Sequence, residues 1–220
     1  FQVLPTDITH KKRESSGSAE ASQKRQRKSP AAKKRCKRML PLRTPQPEER
    51  CARVYADGSC MDNGKPEAIA GYGVYYAGDV LPRDSGLLPS DMPQSNASAE
   101  WYALKVVLEA IVTHGNSKFA DTVTIYTDHE NIIKTMTASD AWIKNWFIDD
   151  DQGTVFKRNG EEARNGTLIY DTYILFKCVQ KARTVIIEHC KGHAGFSSNP
   201  EQETADSLAY LATSDKYIKP

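Results

Sequence analysis

Val54-Tyr55-Ala56-Asp57 and Ile125-Tyr126-Thr127-Asp128 read alike. Each is a short alternation of β-branched or aromatic residues with smaller ones that closes on an aspartate, the pattern of a half-buried strand delivering an acid. Between them, Ser98 to Thr113 contains no Gly or Pro and is apolar on most faces. Such a run predicts a helix packed between a sheet and another layer. Two strands joined by a helical crossover are parallel if they pair, and parallel pairing sets the two aspartates side by side, about 5 Å apart.

Two carboxylates that close, at the edge of a core, repel unless a proton or cation lies between them. Glu100, in the first turn of the long helix, and Asp206, in a helix predicted over Glu203 to Thr213, add two more acids on elements of the same sheet. Taken singly, a Glu in a first turn serves the helix dipole and an Asp at a strand end serves a turn. Four acids converging from one sheet instead suit Mg²⁺, a hard cation that takes oxygen ligands.

Outward from this centre the pattern continues. Gly71-Tyr72-Gly73-Val74-Tyr75-Tyr76 predicts a second strand and Val80 to Leu88 a short third, which together with the first form an antiparallel meander. Gly115-Asn116 ends the long helix, and Val123 to Thr127 is the fourth strand. Asn131 to Met136 and Ala141 to Ile148 look helical, an irregular polar stretch runs to Gly166, and a helix near Tyr170 to Lys181 precedes a strand over Thr184 to His189. The order predicts an α/β fold with a mixed five-stranded sheet, three antiparallel strands plus two parallel, flanked by helices.

Charge divides the chain. Residues 1–50 hold 14 Lys and Arg against 5 Asp and Glu, leaving 16 against 23 for the rest. The segment has almost no large apolar side chains and cannot offset the entropy of ordering, so residues 1–50 are expected to be a disordered basic arm, 51–215 the folded domain and 216–220 a tail. No stretch approaches the roughly 20 apolar residues of a membrane span. The cysteines, Cys36, Cys51, Cys60, Cys178 and Cys190, are odd in number and lack a CxxC pair. That argues against a disulfide scaffold or zinc ribbon and for reduced thiols in an intracellular compartment.

The segments VYADGSC (54–60), NASAEWYAL (96–104), IYTDHE (125–130), CKGHAG (190–195) and ETADSLA (203–209) resemble, in order and spacing, the motifs of type-1 ribonuclease H. The resemblance covers roughly Arg53 to Thr213. It implies the ribonuclease H-like fold, and endonucleolytic hydrolysis of the RNA strand of RNA/DNA hybrids by a monomer holding two Mg²⁺ ions, with Mn²⁺ able to substitute. Asp57, Glu100, Asp128 and Asp206 match the metal-binding acids, with Asp57, on the central strand, bridging both ions. His193, between Gly192 and Gly195, matches the family's proton-moving loop histidine, whereas His189 is read as a strand residue without a catalytic part. Asn63 and Asn96 match positions that read RNA 2′-hydroxyls, with Cys60 lending its backbone. Ser95 matches a DNA phosphate pocket, and Trp142 and Trp146, four apart on an expected helical face, match aromatics that contact the DNA strand.

The pattern also departs from the family. Ala97 stands where a Gln is usual, Pro93 and Tyr170 replace an Arg and an Asn of the phosphate pocket, and the region after Trp146 carries Asp149-Asp150-Asp151 where cellular enzymes are basic. These changes imply weak hybrid affinity, and they keep open an alternative: a catalytically weak or inactive hybrid-binding module on the same fold.

Within the arm, Lys24-Arg25-Gln26-Arg27-Lys28 and Lys33-Lys34-Arg35-Cys36-Lys37-Arg38 flank Ser-Pro-Ala-Ala. The spacing is similar to a bipartite nuclear-import signal, which makes the nucleus the expected residence and the mitochondrion the alternative. The same residues can also grip phosphates. If they do, deleting residues 1–50 raises the Michaelis constant for a hybrid and flattens its dependence on salt, since fewer counterions are released on binding. Hybrid cleavage by both forms between 50 and 200 mM salt measures this.

Overall fold

β1 (Cys51–Met61) is the strand the rest of the sheet is built on. In the computed structural model of this chain, which describes residues 50–137, 142–149, 154–192 and 199–218, β2 (Ile69–Tyr76) pairs antiparallel with one edge of β1, and β4 (Phe119–Thr127) runs parallel along the other. β3 (Asp84–Leu87) adds antiparallel to β2, and β7 (Thr184–His189) adds parallel to β4. The order β3-β2-β1-β4-β7 is the expected mixed sheet of three antiparallel and two parallel strands.

Alternation along β1 separates two layers. Val54, Ala56 and Gly58 face α1 (Asn96–Lys118), and the first two join Val74, Val123 and Ile125 in the main core. Trp101, Leu104, Val107, Leu108 and Ile111 bury the helix there, against the sheet and α3 (Gly166–Val179). A helix covered on two sides has little amphipathic contrast, as its sequence shows. Tyr55 and Asp57 point to the other face, which α4 (Pro200–Ile218) covers along β1, β2 and β3.

Contact on that second face is set by Gly73, the pairing partner of Asp57. A Cβ there would run into the carbonyl oxygen of Ala205 and lie 2.5 Å from the nitrogen of Ala209. Only a strand without a side chain at this point lets the α4 backbone come so near, and so brings residues 202 and 206 over β1.

Several boundaries differ from expectation for local reasons. Asp57 is not at a strand end, because β2 keeps β1 extended to Met61 after the pairing with β4 has stopped at Tyr55↔Tyr126. Gly115 does break α1, with φ 52° and ψ −138°, yet helical residues resume to Lys118. The described part of the helix expected over Ala141 to Ile148, residues 142–148, is not α-helical. Trp142–Asn145 forms one 3₁₀ turn, and Phe147–Asp149 (β5) pairs with Thr154–Phe156 (β6) inside the stretch expected to be irregular. α2 (Glu130–Thr137) matches its expected position, and α4 runs past residue 215. Cys178, buried in α3, is disulfide-bonded, while Cys60 and Cys190 are free. This corrects the expectation of reduced thiols throughout, since an odd count and missing CxxC spacing say nothing about distance in the fold. Among the described residues no helix is long and apolar enough to cross a membrane. The arm, except Arg50, lies outside the described residues.

Gly73→Ala is expected to destabilise the domain by about 2–4 kcal/mol, as overpacking against backbone that cannot rotate away does. Urea unfolding of the two forms checks this.

Candidate active site

Asp57 sits where β1 loses its parallel neighbour, and Asp128 follows directly on the last residue of β4. The register Tyr55↔Tyr126 carries on to set the two acids level at the carboxyl ends of the parallel strands, the edge at which open α/β sheets bind ligands. Glu100 arrives from α1. Ser95 starts that helix as its N-cap, its Oγ accepting from the Ser98 N–H at 3.2 Å, and Gly58 lets its first turn approach β1. A Cβ at Gly58 would collide with the Glu100 nitrogen and come within 2.6 Å of the Ala99 carbonyl carbon.

The three side chains converge. One oxygen from each of Asp57, Glu100 and Asp128 lies within 4.8 Å of the others. Asp57 and Glu100 are 4% exposed, and Glu100 Oε2 is buried with no hydrogen-bond partner. Burial, followed by the charges of Asp128 and Asp206, pushes Asp57 up to about 7. Burial also raises Glu100 well above the carboxylate range, helped by Asp57 and Asp128. Carboxylates crowded into low dielectric need positive charge to ionise together. An orphaned oxygen beside two further oxygen donors fits a divalent cation. Asp206, half-buried on α4, is outside this tight triad but near enough for its charge to act on Asp57.

Asp57 is held from two sides. Its Oδ1 accepts the Gly58 N–H at 2.8 Å, and its Oδ2 accepts Nε2–H of Gln202 at 2.9 Å. Gln202, fully buried, in turn accepts the Cys190 thiol on Oε1 at 3.0 Å. Burial and the neighbouring carboxylates of Asp128 and Asp57 push that thiol up to about 12, so it stays a donor. The sequence reading passed over both residues. The available signal was spacing, since Gln202 precedes Asp206 by one helical turn and shares its face.

The expected substrate contacts divide. Asn63, in the turn after β1, and Asn96, opening α1, are exposed neighbours, with Asn63 Oδ1 accepting the Asn96 N–H at 3.2 Å. Cys60 is half-buried beside them, its thiol directed to the Met61 carbonyl at 3.6 Å. Ser95 is 9% exposed, and its hydroxyl serves the helix cap and lies 2.8 Å from Ser98 Oγ. Trp146 is 8% exposed and packed in the main core with Ile143. The backbone there is a 3₁₀ turn followed by a strand, not the α-helix expected to carry Trp142 and Trp146. The Trp142 side chain, His193, Asp150 and Asp151 lie outside the described residues.

A mixed sheet whose central strand, crossover helix and neighbouring parallel strand each deliver a carboxylate to one point defines an α/β domain of the ribonuclease H-like class. The RNase H family model matches residues 49–214, and the chain belongs to that family. It is similar to ribonuclease H of Schizosaccharomyces pombe, 33% identical over 163 residues that make up 74% of this chain and 53% of that protein. Human ribonuclease H1 is 30% identical over 159 residues, 71% of this chain and 48% of that one. The chain thus spans about half the length of the curated relatives it matches. Among solved structures, LC11-RNase H1, isolated from compost by a metagenomic approach, shares the fold with TM-score 0.50 and 20% identity over 78% of this chain and 99% of that one. The foamy viral protease-reverse transcriptase solved with an RNA/DNA hybrid does so with TM-score 0.51 and 17% identity, over 79% of this chain and 21% of that one.

The raised acids carry a testable sign. A carboxyl whose pKa is higher folded than unfolded favours the folded state below its unfolded value, near 4, and loses that contribution as pH rises through its folded value, about 7 for Asp57. In chelator, the melting temperature of the native protein is therefore expected to fall between pH 5 and 8. Asp57→Asn should flatten this slope and stabilise the metal-free protein at pH 8 by about 1–4 kcal/mol, one pKa unit being worth ~1.4. Calorimetric melting across that pH range measures both.

Proposed function

We propose that this chain cuts the RNA strand of RNA/DNA hybrids internally, acting as a monomer with two Mg²⁺ ions that Mn²⁺ can replace. The observation that carries the reading is the convergence of Asp57, Glu100 and Asp128 within 4.8 Å, with one Glu100 oxygen buried and unpartnered, on a fold of the RNase H family. Asp206 completes the set from α4. Paired divalent ions supply an activated water and stabilise the leaving oxygen of an in-line displacement.

The residues of the chain do the rest. Asp57, on the central strand and close enough to Asp128 and Asp206 to feel both charges, is the acid that would be shared by both ions. Asn63 and Asn96, coupled at the rim of the site, present side-chain and backbone groups to the minor groove, where the 2′-hydroxyl separates RNA from DNA. His193 follows Gly192, a residue so close to Asp128 that a Cβ would overlap its carboxylate. We assign His193, by its place in the motif, the transfer of a proton at the leaving group, a task that suits an imidazole. The basic arm adds phosphate contacts and, through its two clusters, directs the chain to the nucleus.

Cleavage of end-labelled RNA in matched RNA/DNA, RNA/RNA and single-stranded forms tests the reading, with Mg²⁺ and with chelator. Internal cuts confined to the hybrid are expected, abolished by chelator and by Asp57→Asn. His193→Ala should lower turnover by roughly 10²-fold or more without abolishing it, the scale of a lost proton-transfer group. A folded protein that binds hybrid and leaves it intact would make the domain a binding module instead.

A further inference from the structure

Gln202 is a wholly buried amide between the acid site and the loop that leaves β7. Burying a primary amide costs free energy unless both ends are satisfied. Here each end meets a different partner, and the two partners have opposite demands. Asp57 Oδ2 is an acceptor and takes Nε2–H at 2.9 Å; the Cys190 thiol is a donor and takes Oε1 at 3.0 Å. Turning the amide over would set Oε1 against a carboxylate oxygen and waste the thiol proton. The Cys190 S–H thus selects which end of Gln202 faces the acid.

The consequence falls on Asp57. An ionised carboxylate has about four acceptor sites, two on each oxygen. The Gly58 N–H occupies one on Oδ1 and Gln202 Nε2–H one on Oδ2. One remains on each oxygen, and an oxygen of Asp57 lies within 4.8 Å of one from each of Glu100 and Asp128. Without the second donor the carboxylate is free to turn about its Cβ–Cγ bond, and repulsion from the two neighbouring acids drives it to do so before a cation arrives.

We propose that Gln202 is a positioning residue that locks Asp57 in its cation-accepting rotamer, and that Cys190 orients Gln202 for this task. The proposal rests on the reading of the acid cluster as a Mg²⁺ site. It concerns the ordering of ligands, which shows in how tightly metal binds rather than in the turnover of the fully loaded enzyme.

Isothermal calorimetry of Mg²⁺ binding to the full chain, without nucleic acid, is the direct test. Gln202→Met keeps an unbranched chain of similar length and removes the donor. It should weaken Mg²⁺ binding about 10-fold, the lower end of what loss of a supporting ligand contact costs. Cys190→Val removes the thiol donor and should give a smaller loss of the same kind, while Cys190→Ser keeps an O–H donor and should retain wild-type affinity. In hybrid cleavage, the Mg²⁺ concentration for half-maximal rate should rise in Gln202→Met while the rate at saturating Mg²⁺ returns to within a few-fold of wild type. Thermal melting in chelator identifies variants that fold, and Gln202→Asn provides a second, polar replacement whose shorter side chain cannot span both partners. Folded Gln202→Met and Gln202→Asn binding Mg²⁺ as tightly as wild type would overturn the proposal, as would equal losses in Cys190→Ser and Cys190→Val. If the native chain itself takes up no Mg²⁺ by calorimetry, the metal-site reading fails and the proposal with it.

Discussion

Mutual repulsion among Asp57, Glu100 and Asp128 is the constraint around which this domain is organised. Three carboxylates within 4.8 Å, two of them nearly inaccessible, oppose folding. Burial and the neighbouring charges push Asp57 and Glu100 up, and donors from Gly58 and Gln202 are aimed at Asp57. Such a site stores a preference for positive charge. The same repulsion that burdens the metal-free protein becomes attraction for a divalent cation, so affinity is set by elements that hold the acids together.

Those elements are held at unusually short range by missing side chains. Gly58 admits the first turn of α1 to one face of β1, and Gly73 admits α4 to the other face of the sheet. Both glycines are in extended strand, so what they supply is space. Around them a large apolar core, from Trp101 to Ile111 on α1 through Val123 and Ile125 on β4 to Leu175 and Phe176 on α3, fixes the helix against the sheet. Burial of side chains this large, each worth roughly 1.5–3 kcal/mol, supports the strain of the acid cluster. Stability made in the interior is thus spent at the sheet edge.

Substrate recognition follows a different logic from the acids. Asn63 and Asn96 are exposed and joined to each other, a rim contact that orders the turn after β1 beside the start of α1. Ser95 and Trp146 instead serve the fold, one as a helix cap and one as core. The body of the chain is acidic while residues 1–50 are basic.

The acids, the strand alternation and the glycine-flanked motifs were legible in the chain itself, because a strand that must bury one face and a cluster that must bind a cation both leave periodic, local marks. Asp57 and Asp128 could be paired from their tetrapeptides, and the sheet of three antiparallel and two parallel strands from the order of elements. The fate of Trp146 was not legible, since one 3₁₀ turn and a three-residue strand leave too short a period to distinguish a surface stripe from a core residue. Neither was the disulfide of Cys178, which depends on distance rather than spacing. Nor could local pattern reveal that Gln202 would reach Asp57, 145 residues earlier, with Cys190 behind it. A hydrogen bond between elements distant in sequence exists only once α4 has settled on β1 and β2, and that contact depends on the space left at Gly73.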